Sequence, residues 1–186
     1  MIDGLKREDS DAMETFYTRY GPLIKGICFR YAQDREQGED MFHDTFLALF
    51  QKVKKYRPIG SFEAWLKTVA INSVIDYITR VKREQKNLQA SATVYYENME
   101  EDLEHFDFSK LALKAEDLLE MVSRLPEGFR VVFNLYVIDG FSHKQISQML
   151  KISESTSRSQ LSRAKFLLRK EIEEKIKIFQ SGEETR

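Results

Sequence analysis

The chain has 186 residues and a formal net charge of -1, and 32% of its residues are charged. This length allows one ordinary domain or two small ones, and the near-zero net charge excludes a uniformly basic nucleic-acid coat protein. Only 8 glycines and 3 prolines interrupt the chain, which leaves long stretches free to form helices. We therefore predict an all-α fold.

The cysteine and hydropathy patterns indicate a cytoplasmic protein. The single cysteine, Cys28, lies close in sequence to Ile24, Ile27 and Tyr31, so we expect a reduced thiol in the core. No apolar leader follows a basic start, and no run approaches the ~20 apolar residues that span a bilayer. Export and membrane insertion are therefore not expected.

The first half of the chain predicts three amphipathic helices with apolar residues three or four apart. The first starts near Ser10 and contains Pro22, where a kink or break is left open. The second covers residues 38 to 55, and the third starts at Phe62 after a loop of residues 56–61 that contains Pro and Gly. Apolar residues expected in the core include Phe16, Ile24, Ile27, Phe42, Phe46, Leu49, Phe50, Val53, Trp65, Leu66, Val69, Ala70 and Ile78.

An acidic stretch predicts a flexible linker between two domains. Six carboxylates and no Lys or Arg occur from Glu97 to Asp107, a composition typical of a solvated segment. We place one helical domain at residues 1–86, the linker at 87–112, a second helical domain at 113–175 and a tail at 176–186.

The second domain contains the pattern of a helix-turn-helix. Ser142 and Gln145 have capping-box spacing, so a short helix from His143 to Leu150 is expected. A turn at residues 151–153 follows, and Ser153 is a plausible N-cap for a longer helix. The inner face of that helix carries Ser157, Leu161, Ala164 and Leu168, and the layout is that of a DNA-binding hairpin.

A local excess of positive charge accompanies this hairpin. Residues 142–170 contain seven Lys or Arg and one acid, Glu154, hence a net charge of +6, which suits a surface that faces phosphates. The alternative is a solvated basic face. The side chains expected to reach base edges are Arg158, Ser159, Ser162 and Arg163, and Lys144, Lys151, Lys165 and Arg169 are expected at phosphates.

Several motifs, in order, resemble those of the extracytoplasmic-function sigma factors, a group of the sigma-70 family of RNA polymerase sigma factors. Residues 12–20 (AMETFYTRY) are similar to the opening helix, and residues 38–50 (GEDMFHDTFLALF) to the polymerase-binding helix. Residues 62–83 (FEAWLKTVAINSVIDYITRVKR) resemble the block that captures the promoter -10 element. Residues 125–136 (LPEGFRVVFNLY) and 140–169 resemble the final region, which binds the -35 element. The resemblance implies a protein that carries core RNA polymerase to promoter DNA.

The resemblance also implies a polymerase-binding surface. Asp40, His43, Asp44 and Leu47 fall at i, i+3, i+4 and i+7, opposite the phenylalanines of the same helix. In the family this surface docks on the clamp helices of the largest polymerase subunit. His43 stands where Gln is usual. The three histidines have no convincing metal-ligand spacing, so neither a metal nor a cofactor is expected.

For the -10 element, the resemblance implies that a loop holds a flipped base. Gly60, Ser61 and Phe62 belong to that loop, Asn72 is expected nearby, and Arg80 and Arg83 supply positive charge for the opened strand. Phe62 and Trp65 are either stacking platforms or core residues, and their helical spacing favours the core. Asn72 is equally compatible with a surface position without a contact.

In the final region, the chain departs from the usual string GTVKSRLHRAR, because residues 155–165 read STSRSQLSRAK. Ser157 replaces an inward apolar residue, which questions local packing, and Gln160 replaces an arginine, which questions the preferred -35 sequence. The first half of the region is implied to meet the flap of the second-largest polymerase subunit.

The family also implies an anti-sigma partner, often membrane-tethered. We expect no catalysis by this chain and a monomer when it is free. The main rival interpretation is a conventional transcription regulator, which would bind a palindrome as a dimer and would not bind polymerase.

Overall fold

The structure is a computed structural model that describes residues 1–88 and 115–183, with side chains for residues 1–84 and 117–175. All regular secondary structure in these ranges is helical, which confirms the predicted fold class. The chain divides into two compact units, Met1–Ser91 and Ala92–Arg186, which are described separately. Apart from residues 87 and 88, the predicted linker lies outside the described residues.

The first unit contains four helices: α1 (Ile2–Lys6), α2 (Ser10–Tyr31), α3 (Arg35–Val53) and α4 (Phe62–Leu88). Helices α2, α3 and α4 pack against one another, and α1 packs on α2 and α3. Their apolar stripes form one core, as the 3.6-residue periodicity predicts. Its fully buried members include Leu5, Phe16, Ile24, Tyr31, Met41, Leu49, Leu66 and Val74.

Helix α3 starts earlier than the sequence predicts, and the structure decides the question left open at Pro22. Helix α3 begins three residues earlier than expected, because Asp34 is its N-cap and accepts a hydrogen bond from the Gln37 N–H at 2.8 Å. Helix α2 continues through Pro22 without a break. Pro22 and Thr18 are both exposed, so the carbonyl that loses its helical partner to the proline is on the solvent side.

Cys28 is a core thiol, as predicted. Its side chain is fully buried, and Sγ donates to the Thr45 hydroxyl oxygen at 3.6 Å. Burial raises the pKa of the Cys28 thiol to about 11, because a thiolate would lose its hydration there. The thiol is therefore protonated at neutral pH and poorly nucleophilic.

The second unit contains α5 (Ala115–Arg124), α6 (Glu127–Phe133), a π-helical turn (Asn134–Ile138), α7 (His143–Leu150) and α8 (Glu154–Glu183). Helix α8 packs against α5, α6 and α7. It continues past residue 175, where the second domain was predicted to end, since no Pro or Gly interrupts it before Gly182. The buried core includes Met121, Val122, Val132, Phe133, Leu135, Ile146, Leu161, Ala164, Leu168 and Ile172.

A buried arginine joins α5 to α6. Arg130 is 2% exposed, and its Nη1 donates to the carbonyls of Ser123 at 3.0 Å and Leu125 at 2.9 Å. Both carbonyls lie at the C-terminal end of α5, where Pro126 prevents the helix from continuing. Arg130 therefore supplies hydrogen bonds that the helix end lacks.

Replacing Arg130 by Ala should lower the free energy of unfolding by about 3 kcal/mol, because the carbonyls of Ser123 and Leu125 lose a charged donor and a cavity remains. Urea unfolding would measure the change. Arg124→Ala is the matched control, since Arg124 is 54% exposed and its ion pair with Glu171 is worth less than about 1 kcal/mol. Equal effects of the two substitutions would contradict this role of Arg130.

Candidate nucleic-acid interface

The helix-turn-helix is capped as predicted. The Gln145 N–H donates to the Ser142 hydroxyl at 3.3 Å, and the Ser142 N–H donates to Gln145 Oε1 at 2.9 Å. Helix α7 is C-capped by Lys151, whose left-handed φ of 55° reverses the chain within a short turn. Ser153 Oγ then accepts from the Thr156 N–H at 2.9 Å and caps α8.

The inward face of α8 contains an unusual polar contact. Leu161, Ala164 and Leu168 are buried as predicted, and Ser157 is fully buried with them. Its hydroxyl lies 2.9 Å from His143 Nδ1, at the start of α7. The imidazole in turn stacks on Tyr136 of the π-helical turn, with ring centroids 4.4 Å apart. A hydrogen-bonded side chain therefore occupies the position at which the resemblance implies an apolar residue.

The outward face of α8 carries the side chains predicted to read DNA. Arg158 and Ser159 are exposed near its start, and Ser162, Arg163 and Lys165 are half-buried; Lys144 is exposed on α7. The Arg158 guanidinium pairs with Glu154 at 2.9 Å. Gln160 instead lies against α6, since a Cβ built on Gly128 would come within 3.2 Å of its Nε2. Its side chain is therefore directed into its own unit.

The surface predicted to bind polymerase lies on α3. Asp40, His43 and Leu47 are exposed and Asp44 is half-buried. The Tyr77 hydroxyl donates to Asp40 at 3.4 Å, and Arg80 Nη2 donates to Asp44 at 2.6 Å. Burial and the Asp40 carboxylate raise the pKa of the Tyr77 hydroxyl.

The same contacts join two sets of residues that the sequence assigned to different partners. Asp44 holds the Arg80 guanidinium, which also lies over the Tyr77 ring at 5.2 Å. The hydrogen bond to Asp44 raises the pKa of Arg80, so the cation is favoured. The predicted polymerase surface and the predicted -10 surface are therefore in direct contact on α3 and α4.

The predicted base-holding loop precedes α4. Gly60 has φ of 85°, and a Cβ built on it would meet nothing within 4 Å. Ser61 Oγ accepts from the Ala64 N–H at 3.4 Å. The Phe62 ring packs between Tyr56, Trp65 and Tyr20, with centroids 5.2 to 5.6 Å apart, which supports the core interpretation. Ile59 is 84% exposed at this loop.

One exposed face of α4 carries Asn72, Asp76, Arg80 and Arg83, spaced four, four and three residues apart. Asn72 follows Phe62 by ten residues, which is about 15 Å along a helix axis. The placement of Asn72 near a base held by the loop therefore stays a prediction.

His143 is expected to make stability depend on pH. Burial lowers the pKa of His143 below its ordinary value of 6.5, and the Arg158 charge lowers it further. The unfolded chain therefore binds this proton more tightly, so the free energy of unfolding should fall as the pH drops below about 6.5 and be unaffected above it. Urea unfolding between about pH 5 and pH 8 should show a steeper acid loss for the wild type than for His143→Gln. Identical slopes would contradict the assignment.

Among residues 1–88 and 115–183, no helix is long and apolar enough to cross a membrane. The described side chains also include no cluster of three or more His, Cys, Asp or Glu that could hold a metal ion.

The capped hairpin with its cationic outer face is that of a helix-turn-helix DNA-binding protein. Comparison with known families shows which family of DNA-binding proteins the chain matches. The family model Sigma-70 region 2 matches residues 16–84, and Sigma-70, region 4 matches residues 115–166. The two matches cover more than half of the chain and correspond to its two units.

Curated relatives agree with these matches. The chain is 22% identical to the ECF RNA polymerase sigma-E factor of Haemophilus influenzae, over 93% of this chain and 94% of that protein. It is 22% identical to the RNA polymerase sigma-H factor of Pseudomonas aeruginosa, over 89% and 88% of the two chains. The fold resembles that of the sigma factor RpoE in complex with the anti-sigma factor NepR from Bartonella quintana. This match has 18% identity, coverage of 84% and 94% and a TM-score of 0.50.

The chain therefore belongs to the sigma-70 family of RNA polymerase sigma factors, within its extracytoplasmic-function group. Its function is to direct transcription initiation at promoters.

Three residues of these surfaces were not singled out from the sequence. Nothing in the sequence distinguishes Tyr77 or Tyr136, and the side chain of His143 is weighed only as a metal ligand, together with the other two histidines. The sequence does indicate that Ser157 has a partner, because this residue is predicted on the inner face of its helix and a buried hydroxyl requires a hydrogen bond. The sequence does not identify that partner.

Proposed function

We propose that this sigma factor contacts core polymerase and both promoter elements through separate surfaces of its two units and catalyses no reaction itself. The observation that carries the proposal is the capped helix-turn-helix, whose outer face carries Arg158 and Arg163 with no acid between them. An arginine can bind guanine O6 and N7 with two hydrogen bonds. This face reads the -35 element in the major groove, together with Ser159 and Ser162.

Phosphate contacts hold that helix in the groove. Lys144 on α7 and Lys165 on α8 flank the outer face and contact the DNA backbone, which positions the protein without specifying sequence. Because each such contact releases counterions, affinity for DNA falls steeply as salt concentration rises.

The -10 element is held on the first unit. The loop at Gly60, Ser61 and Phe62 receives a base that leaves the duplex, and the exposed Ile59 side chain belongs to the same loop. The opened strand then follows the exposed face of α4 past Asn72 toward Arg80 and Arg83, whose charge attracts its phosphates. Phe62 supports this loop from the core.

The first contact with polymerase is through α3. Asp40, His43, Asp44 and Leu47 meet the clamp helices of the largest subunit. The two carboxylates supply charge complementarity, and Leu47, 49% exposed, supplies an apolar contact.

A second polymerase contact is on the other unit. Tyr136, Val137 and Ile138 are consecutive, large and 39 to 45% exposed on the π-helical turn. Consecutive exposed apolar residues are characteristic of interaction sites. This turn meets the flap of the second-largest subunit.

An anti-sigma protein is the further partner. The Bartonella quintana sigma factor of similar fold was solved with an anti-sigma factor, and the apolar surfaces that serve polymerase suit such an inhibitor as well. The chain acts in the cytoplasm, where polymerase and DNA are present, and is a monomer when free.

The proposal is tested by gel filtration of the purified chain with bacterial core RNA polymerase, followed by promoter selection with the reconstituted holoenzyme. We expect co-elution in a 1:1 complex and recovery of DNA fragments that share two elements at fixed spacing. A free dimer that ignores polymerase and selects a palindrome would favour the conventional regulator instead.

A further inference from the structure

The contact between His143 and Ser157 links the two helices of the helix-turn-helix at the point where α8 begins. Ser157 lies in the first turn of α8, directly before Arg158. Its side chain is fully buried, and its hydroxyl lies 2.9 Å from His143 Nδ1. A buried hydroxyl without such a partner would cost stability, so the bond constrains the start of α8 relative to α7.

A third element, the π-helical turn, also contacts the imidazole of His143. Its ring stacks on Tyr136 at a centroid distance of 4.4 Å and an interplanar angle of 22°. His143 is the first residue of α7, directly after the Ser142 cap. The ring therefore connects the π-helical turn, the start of α7 and the start of α8.

An apolar residue at position 157 would pack without a preferred orientation, since hydrophobic contact has little angular preference. A hydrogen bond prefers a distance near 3 Å and a nearly linear arrangement. The Ser157 contact therefore restricts the rotation of α8 about its own axis more than an apolar side chain would. Rotation of this helix changes which base edges Arg158 and Arg163 reach.

We propose that His143 and Ser157 are positioning residues for -35 recognition, in which the Nδ1 to hydroxyl hydrogen bond sets the orientation of α8 in the major groove. The inference rests on the proposed function, because it assumes that α8 reads the -35 element. Neither residue contacts DNA in this role; both act through the orientation of Arg158 and Arg163.

The matched substitutions are Ser157→Thr and Ser157→Val, which have nearly the same shape. Threonine retains the hydroxyl, whereas valine removes it and restores an apolar side chain. His143→Phe retains an aromatic ring against Tyr136 but removes Nδ1. Ser147→Ala is the control in the same unit, because its hydroxyl donates to the Lys144 carbonyl within α7.

The experiment uses holoenzyme reconstituted from core polymerase and the full chain. Promoter fragments selected by the wild-type holoenzyme are mutated one base at a time in the -35 element, and relative binding is measured by competition. Thermal unfolding of each free variant is measured in parallel. Because the readout is the ratio between sequences, a uniform loss of affinity through poorer folding leaves it unchanged.

We expect Ser157→Val and His143→Phe to reduce discrimination between the selected -35 element and its single-base variants by about threefold to tenfold, because a reoriented α8 loses part of the discrimination that an arginine with two hydrogen bonds to guanine supplies. Ser157→Thr and Ser147→Ala should retain wild-type discrimination. The double variant of Ser157→Val and His143→Phe should lose no more than either alone, since both remove the same bond.

Wild-type discrimination by Ser157→Val would overturn the inference, even if its unfolding temperature changed. Independent, multiplying losses in the double variant would also overturn it. Failure of the proposed function gives a different result, because the wild-type holoenzyme would then select no -35 element.

Discussion

Replacing Asp40 and Asp44 together by alanine should weaken binding of the chain to core RNA polymerase by about tenfold to a hundredfold. Both carboxylates lie at the predicted docking surface of α3, and loss of charges that pair across an interface commonly costs on the order of 2 kcal/mol or more. Titration of fluorescently labelled chain with core polymerase would measure the change in dissociation constant.

The control for this experiment is Asp11→Ala combined with Glu14→Ala, which removes the same charge from exposed positions of α2. It should change the dissociation constant by less than about threefold, because remote charges act mainly through screened long-range attraction. Equal losses in the two double variants would show that net charge, and not the α3 surface, controls binding.

A second comparison distinguishes a direct contact of Asp44 with polymerase from an effect of its ion pair with Arg80. Asp44 holds Arg80 at 2.6 Å, so its removal also releases this arginine. Arg80→Ala breaks the same pair but leaves both carboxylates in place. If Arg80→Ala weakened polymerase binding as much as the double variant, the contribution of Asp44 would be its internal contact with α4.

Replacing Arg158 by alanine should reduce binding to the -35 element by about fivefold to more than a hundredfold, the range for one arginine that binds guanine with two hydrogen bonds. Arg158 is exposed, and its pair with Glu154 at 2.9 Å is worth less than about 1 kcal/mol. DNA can therefore displace Glu154 at little cost.

Competition binding with holoenzyme should show that this loss is confined to the -35 element, because promoters mutated there already bind poorly and should be little affected. Arg124→Ala removes the same charge from α5, outside the helix-turn-helix, and should leave the preference unchanged. A uniform loss on all sequences would instead make Arg158 a phosphate contact.

The helices and their caps could be predicted from the sequence because the interactions that form them are local. Ser142 and Gln145 are three residues apart, as are Ser153 and Thr156, and both predicted caps are present. The start of α3 was missed because Asp34 precedes the apolar repeat by several residues. Pro22 did not end α2, since one lost hydrogen bond on an exposed face is tolerated within a packed helix.

The candidate surfaces were predicted only in part. The helical period placed Arg158 and Ser159 outside and Leu161 and Ala164 inside, as the structure does. The same rule could not reveal that Gln160 lies against α6, because its position at the border of the two faces is compatible with either direction. The roles assigned to these residues remain predictions.

By itself, the sequence determined the helical class, the capped helix-turn-helix, the local positive charge and the family. Only the tertiary structure decided which distant side chains meet: Asp44 with Arg80, 36 residues apart, and His143 with Ser157, 14 residues apart. Periodicity specifies the face on which a residue lies, but not the rotation and height at which two helices pack. That geometry is set by how the whole core fills its volume, so contacts between elements become visible only in the folded chain.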